Sequence, residues 1–308
     1  MKPHGLLALV GATATGKSAL AIEVAERLSG EVISADAFAV YRGLDVGTAK
    51  PSAADRARVP HHLIDVMDPT EPYSAGVFAK SARALAAGIL ARGRLPILCG
   101  GTGFYVRSFF EGLFEGPTRH EGLRRALEAA GARRGNAFLK RAVDLLDPES
   151  GAKVLTLDAT KAIRLLEIAF QSGRRPSQLF REHPGERWEL PAVKVLLVLP
   201  RETLYARIAR RFEGTFRAEL PAEVERLLAA GVPASAPGFA AIGYRDTVAL
   251  VEGRLGREEW EERILRDTRR FAKRQETWFR KEAHLIPLCA DAPELVDSTV
   301  ALAQTLFS

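Results

Sequence analysis

Cysteine is nearly missing from this chain: Cys99 and Cys289 stand alone among 308 residues, too few and too far apart for a disulfide framework or a cysteine zinc cluster. A reducing compartment follows, and the protein is expected to be cytoplasmic. Long apolar runs are missing as well. No stretch reaches the roughly 20 apolar residues of a membrane span, so no membrane partner is expected. Lys2, the run Leu6 to Val10 and the small residues Ala12-Thr13-Ala14 imitate a signal peptide. That run falls short of the ~7 apolar residues such a segment needs and leads into a different motif. Nor is there an excess of acid. The formal charge of +6 and pI near 9.5 favour a polyanionic partner, nucleic acid or a phosphorylated substrate. Repeats and low-complexity tracts are absent. With 47% apolar and 27% charged residues, the chain has the balance of a globular protein with a real core. Its length exceeds one typical domain, so a core with a second unit or a large insertion is expected.

The apolar run Leu6 to Val10 ends at Gly11, and Leu20, Val24 and Leu28 follow at helical spacing before Gly30, which reads as strand, loop, helix. Glu31 to Ala35 reads as a second strand ending at Asp36. Leu95 to Cys99 is a third, entering the turn Gly100-Gly101-Thr102-Gly103, and Ala192 to Leu199 a fourth, stopped by Pro200. Apolar strands alternating with helical patterns predict an α/β fold, a parallel sheet flanked by helices. Residues 118–190 have a different texture, helical and rich in Arg and Lys with no convincing strand. They are expected to form an inserted helical subdomain, leaving 1–117 and 191–308 as the core. From Arg201 the chain is again mostly helical, with a long basic helix from about Glu258 to Glu282.

Gly11-Ala12-Thr13-Ala14-Thr15-Gly16-Lys17-Ser18 matches the phosphate-binding loop pattern, between a strand and a helix as that mechanism requires. Its glycines let backbone N–H groups curl around phosphate oxygens at a helix N-terminus, Lys17 adds a point charge, and the Ser18 hydroxyl can reach Mg2+. The loop predicts a P-loop NTPase-like core holding a diphosphate, but does not say which bond breaks. A nucleotide hydrolase or kinase should have a strand ending in a magnesium-binding Asp, whereas the third strand ends Leu98-Cys99-Gly100-Gly101-Thr102. The one acid at a strand end near the loop is Asp36. At the carboxyl edge of a parallel sheet, Asp36 and Thr102 can both face the loop's ligand, although an Asp there also serves as helix cap or metal ligand. His61 and His62 lack a cysteine or third histidine at metal spacing and read as structural loop residues. Cys99 reads as a small buried residue, because Gly100 and Gly101 follow it and no helix is expected to begin there.

With these motifs in view, the chain resembles the tRNA dimethylallyltransferases, also called tRNA isopentenyltransferases. The matching strings are Gly11 to Ser18, Ser34-Ala35-Asp36, the run from Val40-Tyr41-Arg42-Gly43 through Gly47-Thr48-Ala49-Lys50-Pro51, and Pro60-His61-His62-Leu63-Ile64-Asp65. They continue with Gly100-Gly101-Thr102-Gly103-Phe104-Tyr105, Arg164-Leu165-Leu166-Glu167, Pro200-Arg201-Glu202, Ile242-Gly243-Tyr244 and Ala272-Lys273-Arg274-Gln275-Glu276-Thr277-Trp278. The likeness runs nearly end to end. It implies transfer of dimethylallyl from its diphosphate to the N6 amine of the adenosine 3′-adjacent to the anticodon in tRNA, with Mg2+. It also implies that Asp36 is the general base, that Thr102 orients the amine or the diphosphate, and that Arg211 joins Lys17 at the diphosphate. The amine is a weak nucleophile, so a base that takes its proton as the C–N bond forms would help.

The resemblance likewise implies RNA contacts. Asp36, Ala37, Phe38, Ala39 and Thr102 would meet the base. Arg124 and the stretch Thr160, Lys161, Ala162, Ile163, Arg164 would grip the anticodon stem-loop, and the C-terminal helix would add Lys273, Arg274 and Gln275. That helix also carries Arg263, Arg266, Arg269 and Arg270, with Trp260, Ile264, Phe271 and Trp278 as an apolar stripe, one side to pack and one to meet phosphates. Departures exist. The family's Asp-Ser-Met-Gln-Val-Tyr is here Asp36-Ala37-Phe38-Ala39-Val40-Tyr41, its Asn-Asp is Leu157-Asp158, Lys161 stands where Arg is usual, and Thr215-Phe216 replaces Met-Leu. Ala37 and Ala39 cannot offer the hydroxyl and amide usual there.

Three other readings remain open from the residues. A P-loop small-molecule kinase would need a magnesium-binding acid and an attacking hydroxyl. An adenylate (AMP or ATP) prenyltransferase would need neither the basic helix nor the insertion. An RNA-binding protein without catalysis would have no use for Asp36, Lys17, Ser18 and Thr102 together. A monomer is expected.

Overall fold

Six small and aliphatic residues, Leu6–Gly11, form a fully buried strand, β1, in the computed structural model, which describes residues 2–156 and 158–307. Burial on both faces is what a continuous apolar run without polar alternation demands. The other strands are β2 (Gly30–Ser34), β3 (His61–His62), β4 (Leu95–Gly100), β5 (Ala192–Val198) and β6 (Ile286–Cys289). They pair in the order β3-β2-β4-β1-β5-β6, every pair parallel. The sequence reading finds β1, β2, β4 and β5. It misses the two edges, because β3 is two residues long and β6 contains Pro287, which only an edge strand accommodates readily.

Side chains of β1 alternate between two cores, as the period of a strand requires. Leu6, Ala8 and Val10 join Phe78, Phe109, Phe239, Tyr244 and Trp260 on one face; Leu7 and Leu9 join Leu20, Val24 and Leu306 on the other. The long C-terminal helix runs Arg257–Phe279 and buries Trp260, Ile264, Ala272 and Phe279. A helix does begin near Cys99, contrary to expectation: Gly103–Glu111 starts directly after the turn, with Thr102 O accepting from the amides of Tyr105 and Val106. The glycines that suggest an irregular segment are there for close backbone approach, since a Cβ on Gly100 would lie 2.2 Å from Ala35 O.

The chain divides into a unit of Met1–Phe110 with Trp188–Ser308 and a unit of Glu111–Arg187. The texture change in the sequence falls later, at 118, because residues 112–120 are not helical. They belong with the insertion because the chain recrosses itself there. Gly112 (φ 75°) and Gly185 (φ 83°) are both left-handed, and a Cβ on either would come within 2.4 and 2.6 Å of the backbone at Glu186 and Leu113. The second unit contains helices and no strand among its described residues. Asn136–Leu146 and Ala159–Ser172 pack through Leu139, Val143, Ile163 and Leu166. Leu157 lies outside the described residues.

Candidate active site

The carboxyl ends of β1, β2 and β4 release three segments side by side: the phosphate loop, Asp36 and the Thr102 turn. In an open parallel sheet this edge is where ligands bind. The loop reaches the helix Lys17–Leu28 through Gly16 at φ 91°, a left-handed conformation that glycine adopts freely. Thr15 Oγ1 donates to Ala12 O at 2.9 Å, and Lys17 Nζ donates to the same carbonyl at 2.5 Å. Arg211 reaches the loop from the helix Arg201–Arg211, its Nη2 donating to Thr13 Oγ1 at 3.2 Å. After Arg211 a wide helical turn, Phe212–Phe216, buries Phe212 and Phe216.

Asp36 holds its own loop. Its Oδ1 accepts from the amides of Phe38 (2.8 Å) and Ala39 (3.1 Å), while Oδ2 has no hydrogen-bond partner among the described residues. One oxygen fixes the carboxylate's orientation and the other is free to accept a further hydrogen bond. Thr102 Oγ1 accepts from Ala37 N at 3.1 Å, so its proton remains available to donate.

Two cavities meet here, of about 260 and 310 Å³, and Thr13, Asp36, Thr48, Arg211 and Phe271 line both. The first continues over Lys17, Ser18, Ser34, Lys50 and His61; the second over Phe38, Thr102, Phe216, Ile242 and Arg274. Burial lowers the Lys17 amine to about 8, partly offset by Cys99 and Asp36, and Arg211 is likewise lowered by burial against the pull of Asp36. Burial pushes the Cys99 thiol up to about 11, which leaves it an inert packing residue.

The sequence-assigned residues of the loop, Asp36, Thr102 and Arg211 therefore converge. Others lie elsewhere. Ala39 is 5% exposed and lines the first cavity, not the second with Ala37 and Phe38. Gln275, expected to face RNA, is buried between Thr13 N and Gly101 O. Ala162 and Ile163, expected in the RNA-gripping stretch, are buried in the insertion's apolar core; Thr160 and Lys161 beside them are exposed. Arg124 is held by Glu167 (3.1 Å) and Glu128 (3.3 Å), and Arg164 donates to Pro117 O. The basic helix is partly neutralised: Arg263 pairs with Glu259 and Asp246, while Arg266 and Arg270 pair with Asp267. Lys273 and Arg274 are exposed, with no ion pair among the described residues.

Sequence reading overlooks Thr48 and Phe271, which line both cavities. Thr48 carries no assigned role within its matching string, and Phe271 reads as part of a packing stripe. The segment around Thr48 is fixed by two buried groups. Glu223 accepts from the amides of Asp45 and Val46 and from the Tyr244 hydroxyl (2.6 Å), and Lys50 donates to Tyr41 O, Asp45 and Asp65. His61 and His62 bond Val59 O and Glu31.

A parallel sheet with a phosphate-loop motif after its central strand, and a lone carboxylate and hydroxyl at the neighbouring strand ends, defines an α/β enzyme with a P-loop NTPase-like fold. The chain belongs to the IPP transferase family, whose model matches residues 39–282, and a model described as isopentenyl transferase matches residues 4–65. It is 44% identical to the tRNA dimethylallyltransferase of Anaeromyxobacter dehalogenans over 91% of this chain and 93% of that one. To the tRNA dimethylallyltransferase of Solibacter usitatus it is 41% identical, with 96% of each covered. The crystal structure of the full-length tRNA isopentenylpyrophosphate transferase from Bacillus halodurans superposes with a TM-score of 0.71 at 34% identity, covering 98% of both chains. A eukaryotic dimethylallyltransferase acting on tRNA shares the fold, with a TM-score of 0.79 at 23% identity over 97% of this chain and 77% of that one.

Proposed function

We propose that the protein transfers a dimethylallyl group from dimethylallyl diphosphate to the N6 amine of the adenosine 3′-adjacent to the anticodon in tRNA, releasing diphosphate. The observation that carries this reading is the meeting of two cavities at Asp36, one lined by the phosphate loop and one by apolar and aromatic side chains. The donor's diphosphate lies on the loop, and the adenine enters the second cavity. N6 forms a bond to the allylic carbon, that carbon's bond to the diphosphate oxygen breaks, and the N6 proton passes to Asp36 Oδ2. Loop amides, Lys17 and Arg211 stabilise the charge that grows on the leaving oxygen. Thr102 orients the amine.

The site suits magnesium. Ser18 is exposed on the first helical turn and lines the first cavity, and one hydroxyl beside phosphate oxygens fits an ion that retains several waters. Ser18 would hold it, and when bound it supplies positive charge to the diphosphate. An adenine stacked in an anticodon loop must be extruded to reach Asp36, at a cost of a few kcal/mol. Contacts of Lys273, Arg274, Thr160 and Lys161 with phosphates offset that cost. These exposed residues favour tRNA over free AMP, which needs no such surface. No described helix is long and apolar enough to cross a membrane; we assign the protein to the cytoplasm as a monomer. Incubation with dimethylallyl diphosphate and magnesium, with unmodified tRNA or AMP as acceptor, tests the reading. Prenylated adenosine in tRNA is expected, and transfer to AMP alone would overturn it.

A further inference from the structure

Gln275 follows the exposed cations Lys273 and Arg274 on the C-terminal helix, yet it is only 6% exposed. Its carboxamide bridges two loops far apart in the chain. Oε1 accepts from Thr13 N at 2.8 Å, and Nε2 donates to Gly101 O at 2.8 Å. Thr13 belongs to the phosphate loop; Gly101 belongs to the turn whose Thr102 hydroxyl holds Ala37 N beside Asp36. Gly101 must be glycine for this contact, because a Cβ there would lie 2.3 Å from Nε2. One turn further along the helix, the Trp278 ring packs so closely that a Cβ on Gly103 would lie 2.2 Å away.

We propose that Gln275 is a positioning residue that ties the phosphate loop to the Thr102 turn, so that the diphosphate cradle and the amine-binding edge keep one geometry. The inference deepens the prenyl-transfer reading and rests on it for the roles of the two loops. A carboxamide suits the task because it presents an acceptor and a donor in fixed opposed directions and brings no negative charge beside a diphosphate. Buried and satisfied at both ends, it rigidifies the site.

Gln275→Met keeps the side chain's length and removes both bonds. Titration with inorganic diphosphate and magnesium, without RNA, is expected to give about tenfold weaker binding, the scale of the lost neutral hydrogen bonds. Affinity for unmodified tRNA, measured separately, is expected to stay at the parent's value. Gln275→Glu can still accept from Thr13 N but cannot donate to Gly101 O, so it does not restore diphosphate binding. Gly101→Ala displaces the amide from the opposite side and gives an independent variant. Combined with Gln275→Met it adds little further loss, because both break one link. Unchanged diphosphate affinity in a folded Gln275→Met or Gly101→Ala protein, full additivity in the double variant, or a loss confined to tRNA affinity would each overturn the proposal. The diphosphate titration needs neither prenyl donor nor RNA, so its result is independent of whether tRNA is prenylated.

Discussion

The two cavities that meet at Asp36 are built in different ways. The first is built around one contiguous motif, Gly11 to Ser18, with Asp36, Lys50 and Arg211 adding charge from other segments. The second is assembled from short pieces of many segments: residues 13, 36–38, 47–48, 102, 211, 216, 240–242, 268, 271 and 274. Stabilising a leaving diphosphate requires fixed N–H groups and cations at close quarters, which a single loop at a helix N-terminus supplies. Accepting a purine requires shape, and shape can be gathered from anywhere in the fold. None of the departures from the family's strings falls within the phosphate loop; Ala37, Phe38 and Phe216 line the second cavity and Ala39 the wall of the first.

Asp36→Asn gives the largest expected effect, because it touches both cavities. Asparagine keeps an acceptor for the amides of Phe38 and Ala39 but cannot take the N6 proton. Single-turnover transfer should fall about 10³-fold while affinities for diphosphate and tRNA hold. Lys17→Met sharpens the comparison from the donor side. It should weaken transfer about 10²-fold through the leaving group and leave tRNA affinity unchanged in a binding titration.

The pH dependence is smaller and of known sign. Burial holds Lys17 at about 8, so the free enzyme keeps its charge below that value and loses it as pH rises. Diphosphate affinity should therefore fall as pH rises through about 8, and Lys17→Met should lack this dependence. In stability the same group acts oppositely. The unfolded chain binds more protons between about 8 and the ordinary lysine value, so unfolding free energy rises with pH across that window.

The smallest effects separate the two cavities by volume. Ala39 lines the first, so Ala39→Gln should raise KM for the donor by about fivefold through overpacking. Ala37 lines the second and stands half-exposed; Ala37→Ser should change transfer by less than about twofold. Steady-state kinetics with each substrate varied in turn checks both.

What was legible in the sequence follows from the same division. Strands β1, β2, β4 and β5 announce themselves because a strand covered on both faces is a continuous apolar run. The edge strands β3 and β6 do not, for His61–His62 and Ile286–Cys289 bury little and need only a neighbour's backbone. Asp36 and Thr102 are found through their strand ends. Gln275 misleads because the two residues before it, Lys273 and Arg274, are exposed cations, and a helix turns roughly 100° per residue, enough to carry the next side chain inside. Ala162 and Ile163 mislead for the same reason beside Thr160 and Lys161. Thr48 owes its position to Glu223, 178 and 177 residues along the chain from Asp45 and Val46 whose amides it holds, a tie that no local pattern announces.

The most direct test of the central claim is a crystal structure of Asp36→Asn with a non-reactive thiolo analogue of dimethylallyl diphosphate and an unmodified anticodon stem-loop. Diphosphate is expected on the loop from Gly11 to Ser18 and the extruded adenine in the second cavity, with N6 within hydrogen-bond reach of residue 36 and about 3–3.5 Å from the allylic carbon. An adenine bound away from residue 36, or an allylic carbon pointing away from the second cavity, would contradict the claim.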